Sequence, residues 1–84
     1  MSMYSATKHA AEVIAARKIE DEWIRLALQL PAKTHVDDAD PTLEHRLAPI
    51  AAYGFRVLRV IYKKGTIPPL VVTAYFDRTM KGKL

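Results

Sequence analysis

F-R-V-L-R-V-I-Y-K-K-G-T-I-P-P-L-V-V-T-A-Y-F-D-R, running from Phe55 to Arg78, decides the fold. Two runs rich in β-branched and aromatic residues, Phe55–Lys63 and Leu70–Phe76, flank K-G-T-I-P-P, a segment of hairpin-loop length, so the stretch reads as an antiparallel pair. Side chains alternate across a strand. Leu70, Val72, Ala74 and Phe76 therefore fall on one face, expected in the core, and Val71, Thr73, Tyr75 and Asp77 on the other. The longer strand is apolar on both faces, with Arg56 on one and Arg59 on the other. Two registers compete. One sets Val60 against Val72, Leu58 against Ala74 and Arg59 against Thr73, with Tyr75 diagonal to it. The other brings Arg59 beside Ala74 on the core face and Arg56 opposite Asp77. An unpartnered buried charge costs several kcal/mol, which favours the first register, although a long arginine can snorkel. Arg59, Thr73 and Tyr75 then share an exposed face.

Upstream, A-A-Y-G (Ala51–Gly54) reads as a turn in which Gly54 is free to take positive φ. L-E-H-R-L (Leu43–Leu47) alternates as a strand ended by Pro49, and A-K-T-H-V (Ala32–Val36) is a short strand closed by the acidic turn D-D-A-D-P. Before Pro31 the period changes. Ser5–Arg17 has no Gly or Pro and many alanines, with Ser5 or Thr7 as cap and Ala10, Val13, Ile14 and Arg17 on one face. His9 lies at the edge of that face. Glu20, Asp21 and Glu22 open a second helix, Ile19 is placed to staple onto Ile24, and Trp23, Ile24, Ala27 and Leu28 form its buried stripe up to Pro31. The expectation is an α+β domain of order ααββββ: an αα-hairpin at about residues 5–30, packed on one face of an antiparallel sheet of about four strands at about 33–77. A basic tail, 78–84, completes a single domain spanning 1–84.

The totals narrow the function. A chain of 84 residues, half of them hydrophobic, supports one small core. It has no cysteine, which removes disulfides and thiolate metal sites. No apolar run reaches the length of a membrane span, and the N-terminus lacks a signal-peptide pattern, so a cytoplasmic protein with no membrane association is expected. The net charge of +4 is uneven: residues 1–43 carry −2 and residues 44–84 carry +6. A basic half suits phosphate-rich partners, and it equally suits a solvated surface. His9, His35 and His45 never fall at a metal-ligand spacing, and no phosphate loop, nucleophile elbow or zinc-protease motif occurs, so neither a metal nor a cofactor is expected. The polar side chains that remain fit metal-free RNA cleavage. That chemistry needs a 2′-hydroxyl deprotonated, a leaving oxygen protonated and a phosphorane stabilised. Arginine suits the last role, and Tyr75 or His9 suits proton transfer; Tyr75 also suits base stacking. Each of these residues has a plain structural alternative, as strand former, ion-pair partner or helix-surface residue.

K-H-A-A-E-V-I-A-A-R-K-I (Lys8–Ile19) resembles the opening helix of a bacterial family known as domain of unknown function 4258, whose members begin K-H-A-x-E-R-x-x-x-R-x-I before an acidic second helix. Y-G-F-R-V-L-R-V-I-Y and P-P-L-V-V-T-A-Y-F-D-R resemble its two C-terminal strands, and the likeness runs from about Lys8 to Arg78. The resemblance implies the architecture of RelE/ParE/BrnT-type toxins, with helices on a curved antiparallel sheet. Many RelE-like members cleave RNA without metal, and ParE-like ones act on gyrase. Carried over, it points to His9, Arg17, Arg56, Arg59, Thr73, Tyr75, Asp77 and Arg78. Val13 stands where the family commonly has arginine. The leading expectation is a metal-independent endoribonuclease of RelE/BrnT-like type with His9, Arg59, Thr73 and Tyr75 as catalytic residues. Arg17, Arg56, Lys63, Lys64 and Arg78 are the residues expected on nucleic acid. Its expected partners are RNA and a cognate antitoxin-like protein, and its expected state is a monomer or small homo-oligomer. The alternative is a non-catalytic module whose basic C-terminal half binds nucleic acid or a protein partner.

Overall fold

A computed structural model describes residues 3–84; Met1 and Ser2 of the expected single domain lie outside the described residues. The elements are β1 (Ser5–Ala6), α1 (Lys8–Ala16), α2 (Asp21–Gln29), β2 (Lys33–Val36), β3 (Leu43–Ile50), β4 (Arg56–Lys63) and β5 (Leu70–Phe76). One-turn 3₁₀ segments follow β3 at Ala51–Tyr53 and β5 at Arg78–Met80. The strands form one sheet in the order β1-β5-β4-β3-β2. It is a five-stranded mixed sheet, where four antiparallel strands were expected. The addition is β1, which runs parallel to β5, with Ser5 N–H donating to Pro69 and Thr7 N–H to Val71. Two residues carry no periodicity, so Ser5 and Ala6 read as the start of a helix.

Thr7 rather than Ser5 caps α1, its hydroxyl accepting from Ala10 N–H at 3.0 Å. The helix closes in a Schellman motif: Ile19 N–H reaches Ile14 O and Lys18 N–H reaches Ala15 O, with Lys18 at φ 54°. Asp21 and Glu22 occupy the first turn of α2, where the macrodipole favours them, and Ile24, Ala27 and Leu28 are buried. α1 packs on β5, and α2 on β4 and β3. One apolar cluster joins Ala10, Ile19, Ile24, Ala27 and Leu28 to Ala48, Ile50, Leu58, Val60, Tyr62, Val71 and Ala74. On the same face, Arg46 donates to Leu28 O near the end of α2 and lies over the Tyr62 ring, and Tyr62 donates to Glu44. Burial pushes the Glu44 carboxyl up, but the hydrogen bonds from Tyr62 and Arg46 outweigh it and hold it below the usual range.

β3 runs through Pro49 instead of ending before it. β2 pairs no further along than Leu47, so Pro49 sits where β3 has become an edge and a missing N–H breaks no ladder there.

The hairpin adopts neither expected register. Leu58 faces Phe76, Arg59 faces Tyr75, Val60 faces Ala74 and Ile61 faces Thr73. Arg59 and Tyr75 still share the face away from the helices, as the favoured register had it, but they are directly opposed rather than diagonal. Between Ile61 and Tyr62 the register shifts, so Tyr62 faces Val71 and Val72 is the extra residue. That bulge inverts the parity at the start of β5. Val71, expected on the displayed face, is completely buried, and Val72 is only half-buried. The face away from the helices is itself largely closed, with Leu47, Val57, Ile61 and His45 all buried. Arg59 is part of this closed surface, its side chain only 12% exposed, instead of lying on an open face.

Candidate functional site

Two polar arrangements stand out, one inside the sheet face and one at its end. The first is built on Arg59. Its Nε and Nη2 donate to Asp77 Oδ2 at 3.1 and 2.8 Å, while Nη1 lies 2.9 Å from His35 Nε2 and 2.8 Å from His45 Nδ1. Arginine has donors only, so both imidazole nitrogens act as acceptors and the two tautomers follow from the geometry. His45 then presents Nε2–H to Asp37 Oδ1 at 2.6 Å, and His35 presents Nδ1–H to the Val36 carbonyl at 3.1 Å. The imidazoles lie 4.6 Å apart because His35 and His45 are direct partners across β2 and β3.

Each carboxylate divides its work. Asp37 takes His45 on one oxygen and the Ala39 and Asp40 amides on the other. Asp77 takes Arg59 on one oxygen and both Thr79 N–H and Thr79 Oγ1 on the other. The hydrogen bond with His45 leads in holding the Asp37 carboxyl below its usual range, and those with Thr79 and then Arg59 do so for Asp77.

The second arrangement is a cleft of about 720 Å³ at the end of the sheet where β4 begins and β5 stops. Arg17, Arg56, Arg78 and Lys81 line it together with Tyr53, Val57, Tyr75, Phe76 and Asp77. Arg17 follows α1 and is anchored by Nη1 on Ala74 O at 2.8 Å. Arg56 lies over the Tyr53 ring, 4.7 Å from its centre, a cation–π arrangement. Tyr53 in turn stacks on Trp23 at 5.6 Å and meets Phe76 at 4.8 Å, which makes an aromatic wall. The turn before Arg56 has two consecutive left-handed residues, Gly54 at φ 66° and Phe55 at φ 60°, and it leaves Phe55 well exposed. Asp77, the one acid among the described residues of the lining, is occupied by Arg59 and Thr79, so the cleft is electropositive.

Of the residues singled out by sequence, Arg17, Arg56, Tyr75, Asp77 and Arg78 come together here. His9, Arg59 and Thr73 do not line the cleft. His9 is exposed on α1, on the helix side of the sheet, and Arg59 points to the opposite side. Thr73 is half-buried opposite Ile61. Lys63 and Lys64 are exposed at the far end of β4, about 20 Å along the strand from Arg56. Tyr53 and the His35–His45–Asp37 group carry no signal in the sequence that marks them as sites, whereas Lys81 belongs to the basic C-terminal half expected to bind in the non-catalytic alternative. The acidic turn from Asp37 to Pro41 held a clue only to the histidine pairing, because a hairpin closed there opposes His35 to His45.

A family model matches residues 6–76, which is most of the chain, and describes a domain of unknown function, DUF4258. The chain belongs to this family. No curated protein and no solved structure matches it. The DUF4258 match takes in both helices and all of β2 to β5, including the Tyr53–Arg56 wall of the cleft, and stops one residue short of Asp77. Arg78 and Lys81 therefore lie beyond the matched span. Among the described residues no helix is long and apolar enough to cross a membrane.

Proposed function

We propose that this chain binds single-stranded RNA in the cleft between the end of α1, the Ala51–Arg56 turn and the Asp77–Lys81 segment. One observation carries the reading: Arg17, Arg56, Arg78 and Lys81, from three separate parts of the chain, converge beside Tyr53 and Tyr75. Guanidinium forks match phosphate oxygens. With Tyr53 engaged by Trp23, Phe76 and Arg56, it is the Tyr75 ring that offers a face to an unpaired base, so the cleft suits a nucleotide strand better than an acidic protein surface. Phe55, exposed beside Arg56, adds a ring on which a neighbouring base can stack. The catalytic form of this proposal is the toxin-type endoribonuclease implied by the family resemblance. With Arg59 engaged by Asp77 and His9 across the sheet, proton transfer would fall to Tyr75.

The test is fluorescence anisotropy with a single-stranded RNA oligonucleotide and a duplex of the same length, at several salt concentrations. Arg56→Ala and Arg78→Ala should each weaken single-strand binding and flatten the salt dependence by about one ion. Phe55→Ala should reduce the preference for the single strand, and Lys63→Ala with Lys64→Ala should have little effect. Equal loss from the lysine pair, or no salt-dependent binding at all, overturns the reading. RNA that stays intact with chelator present makes this a binding site. Cleavage that Tyr75→Phe abolishes makes it an enzyme.

A further inference from the structure

The network around Arg59 has more structure than an ion pair needs. A guanidinium and a carboxylate satisfy one another, yet here two histidines from two strands accept from the same nitrogen, Nη1. Its two hydrogens are thereby both used, and each is aimed at a ring nitrogen that carries no proton. On the other side of Arg59, Asp77 is the N-cap of the Arg78–Met80 3₁₀ turn, and its own N–H is bonded to Val57 O. Arg78 lies in that turn and Lys81 ends it, and both line the cleft. A continuous chain of hydrogen bonds thus runs from the histidines through Arg59 and Asp77 to the backbone that presents two of the cleft's four cations.

We infer that His35, His45, Arg59 and Asp77 form an acid-released latch that holds Arg78 and Lys81 in place and so sets the cleft's grip on RNA. The inference rests on the RNA-binding reading of the cleft and makes Arg59 a positioning residue. When either imidazole takes a proton, a ring N–H faces a guanidinium N–H, and an acceptor has become a like-charged donor. On the far side of His45, Nε2–H is bonded to Asp37 Oδ1. Imidazolium then pairs with Asp37, Arg59 is repelled, and the cap on the 3₁₀ turn loosens. Other charged or titratable groups on this side of the sheet include Lys33 on β2, Asp40 in the turn beside Asp37, Lys63 on β4 and Tyr75 opposite Arg59 on β5. Both lysines are exposed and neither belongs to the hydrogen-bond chain around Arg59, so the two imidazoles are the groups that switch.

The sign of the effect separates this latch from simple electrostatics. Added positive charge on the histidines would by itself strengthen RNA binding as the pH falls. The latch makes it weaker. Anisotropy with the single-stranded oligonucleotide at constant ionic strength should show affinity falling on the order of tenfold from about pH 7.5 to about pH 5.5, the equivalent of one charge-assisted contact. A double variant, His35→Gln with His45→Gln, keeps an acceptor on each side of Arg59 at every pH, and its affinity should stay level. On the free wild-type protein, the NMR signals of Arg59 Nε–H and the Thr79 amide should shift with the same midpoint. Binding at pH 7.5 that stays constant or strengthens on acidification overturns the latch and leaves the RNA reading standing. No binding at pH 7.5 overturns the RNA reading and the latch's role in it, whatever the two resonances do.

Discussion

Arg59 carries five donor hydrogens and spends four of them on three partners, Asp77, His35 and His45. Removing it leaves one oxygen of a mostly buried carboxylate and two imidazole acceptors without partners, and such orphaned groups are costlier than the intact pair is favourable. Arg59→Ala should therefore lower stability by about 3 kcal/mol, read as a shift of the urea midpoint at unchanged slope. Arg59→Lys should recover only part of it, because an ammonium cannot reproduce the fork that meets Asp77 and both rings. A loss below about 1 kcal/mol for the alanine variant would mean that solvent already satisfies these groups. The residue's importance is legible in the sequence only as a conflict, a charge in an apolar run. Its partners come from β2, β3 and the end of β5, and no local pattern names them.

At the scale of the elements, local chemistry and tertiary demand sometimes disagree. The Schellman end of α1 needs a left-handed residue, and the chain supplies Lys18 at φ 54° where glycine is usual. Lys18→Gly should stabilise the protein by about 1 kcal/mol, seen as a higher thermal midpoint, because the Cβ penalty at positive φ disappears. No gain would show that the lysine side chain contributes packing that offsets its strain. The bulge between β4 and β5 is the converse case. Strict alternation over Leu70–Phe76 assigns Val72 to the core, yet Val71 fills it, because one extra residue reverses the pleat for everything before it. Helix α2 was legible almost to the residue: its acidic start, its stripe of Ile24, Ala27 and Leu28, and Pro31 just beyond its end all act within one or two turns.

Across the whole molecule, carboxylates tie the connections to the sheet. Asp37, Asp40, Glu44 and Asp77 are all held below their ordinary range, Asp40 mainly by the Thr42 hydroxyl and the others by the partners already described. A group whose folded pKa is depressed adds stability that is present above its unfolded value and lost as the pH falls through its folded value. From these four carboxylates the thermal midpoint should thus drop below about pH 4, and Asp77→Asn should make that drop shallower while lowering the midpoint above it. An unchanged slope in the variant would assign the acid sensitivity to the other three. The amino-acid sequence by itself determined two helices ahead of the antiparallel strands, the boundaries of the second helix, a basic second half and the turn at Gly54, because periodicity, caps and breakers act over a few residues. Only the tertiary structure decided the rest. Strand β1, the bulge, the His35–His45–Arg59–Asp77 chain and the cleft of Arg17, Tyr53, Arg56, Tyr75 and Arg78 all depend on register and on which strands lie side by side. Register is settled by burial summed over the whole sheet, so residues far apart in the chain become neighbours without any local signal.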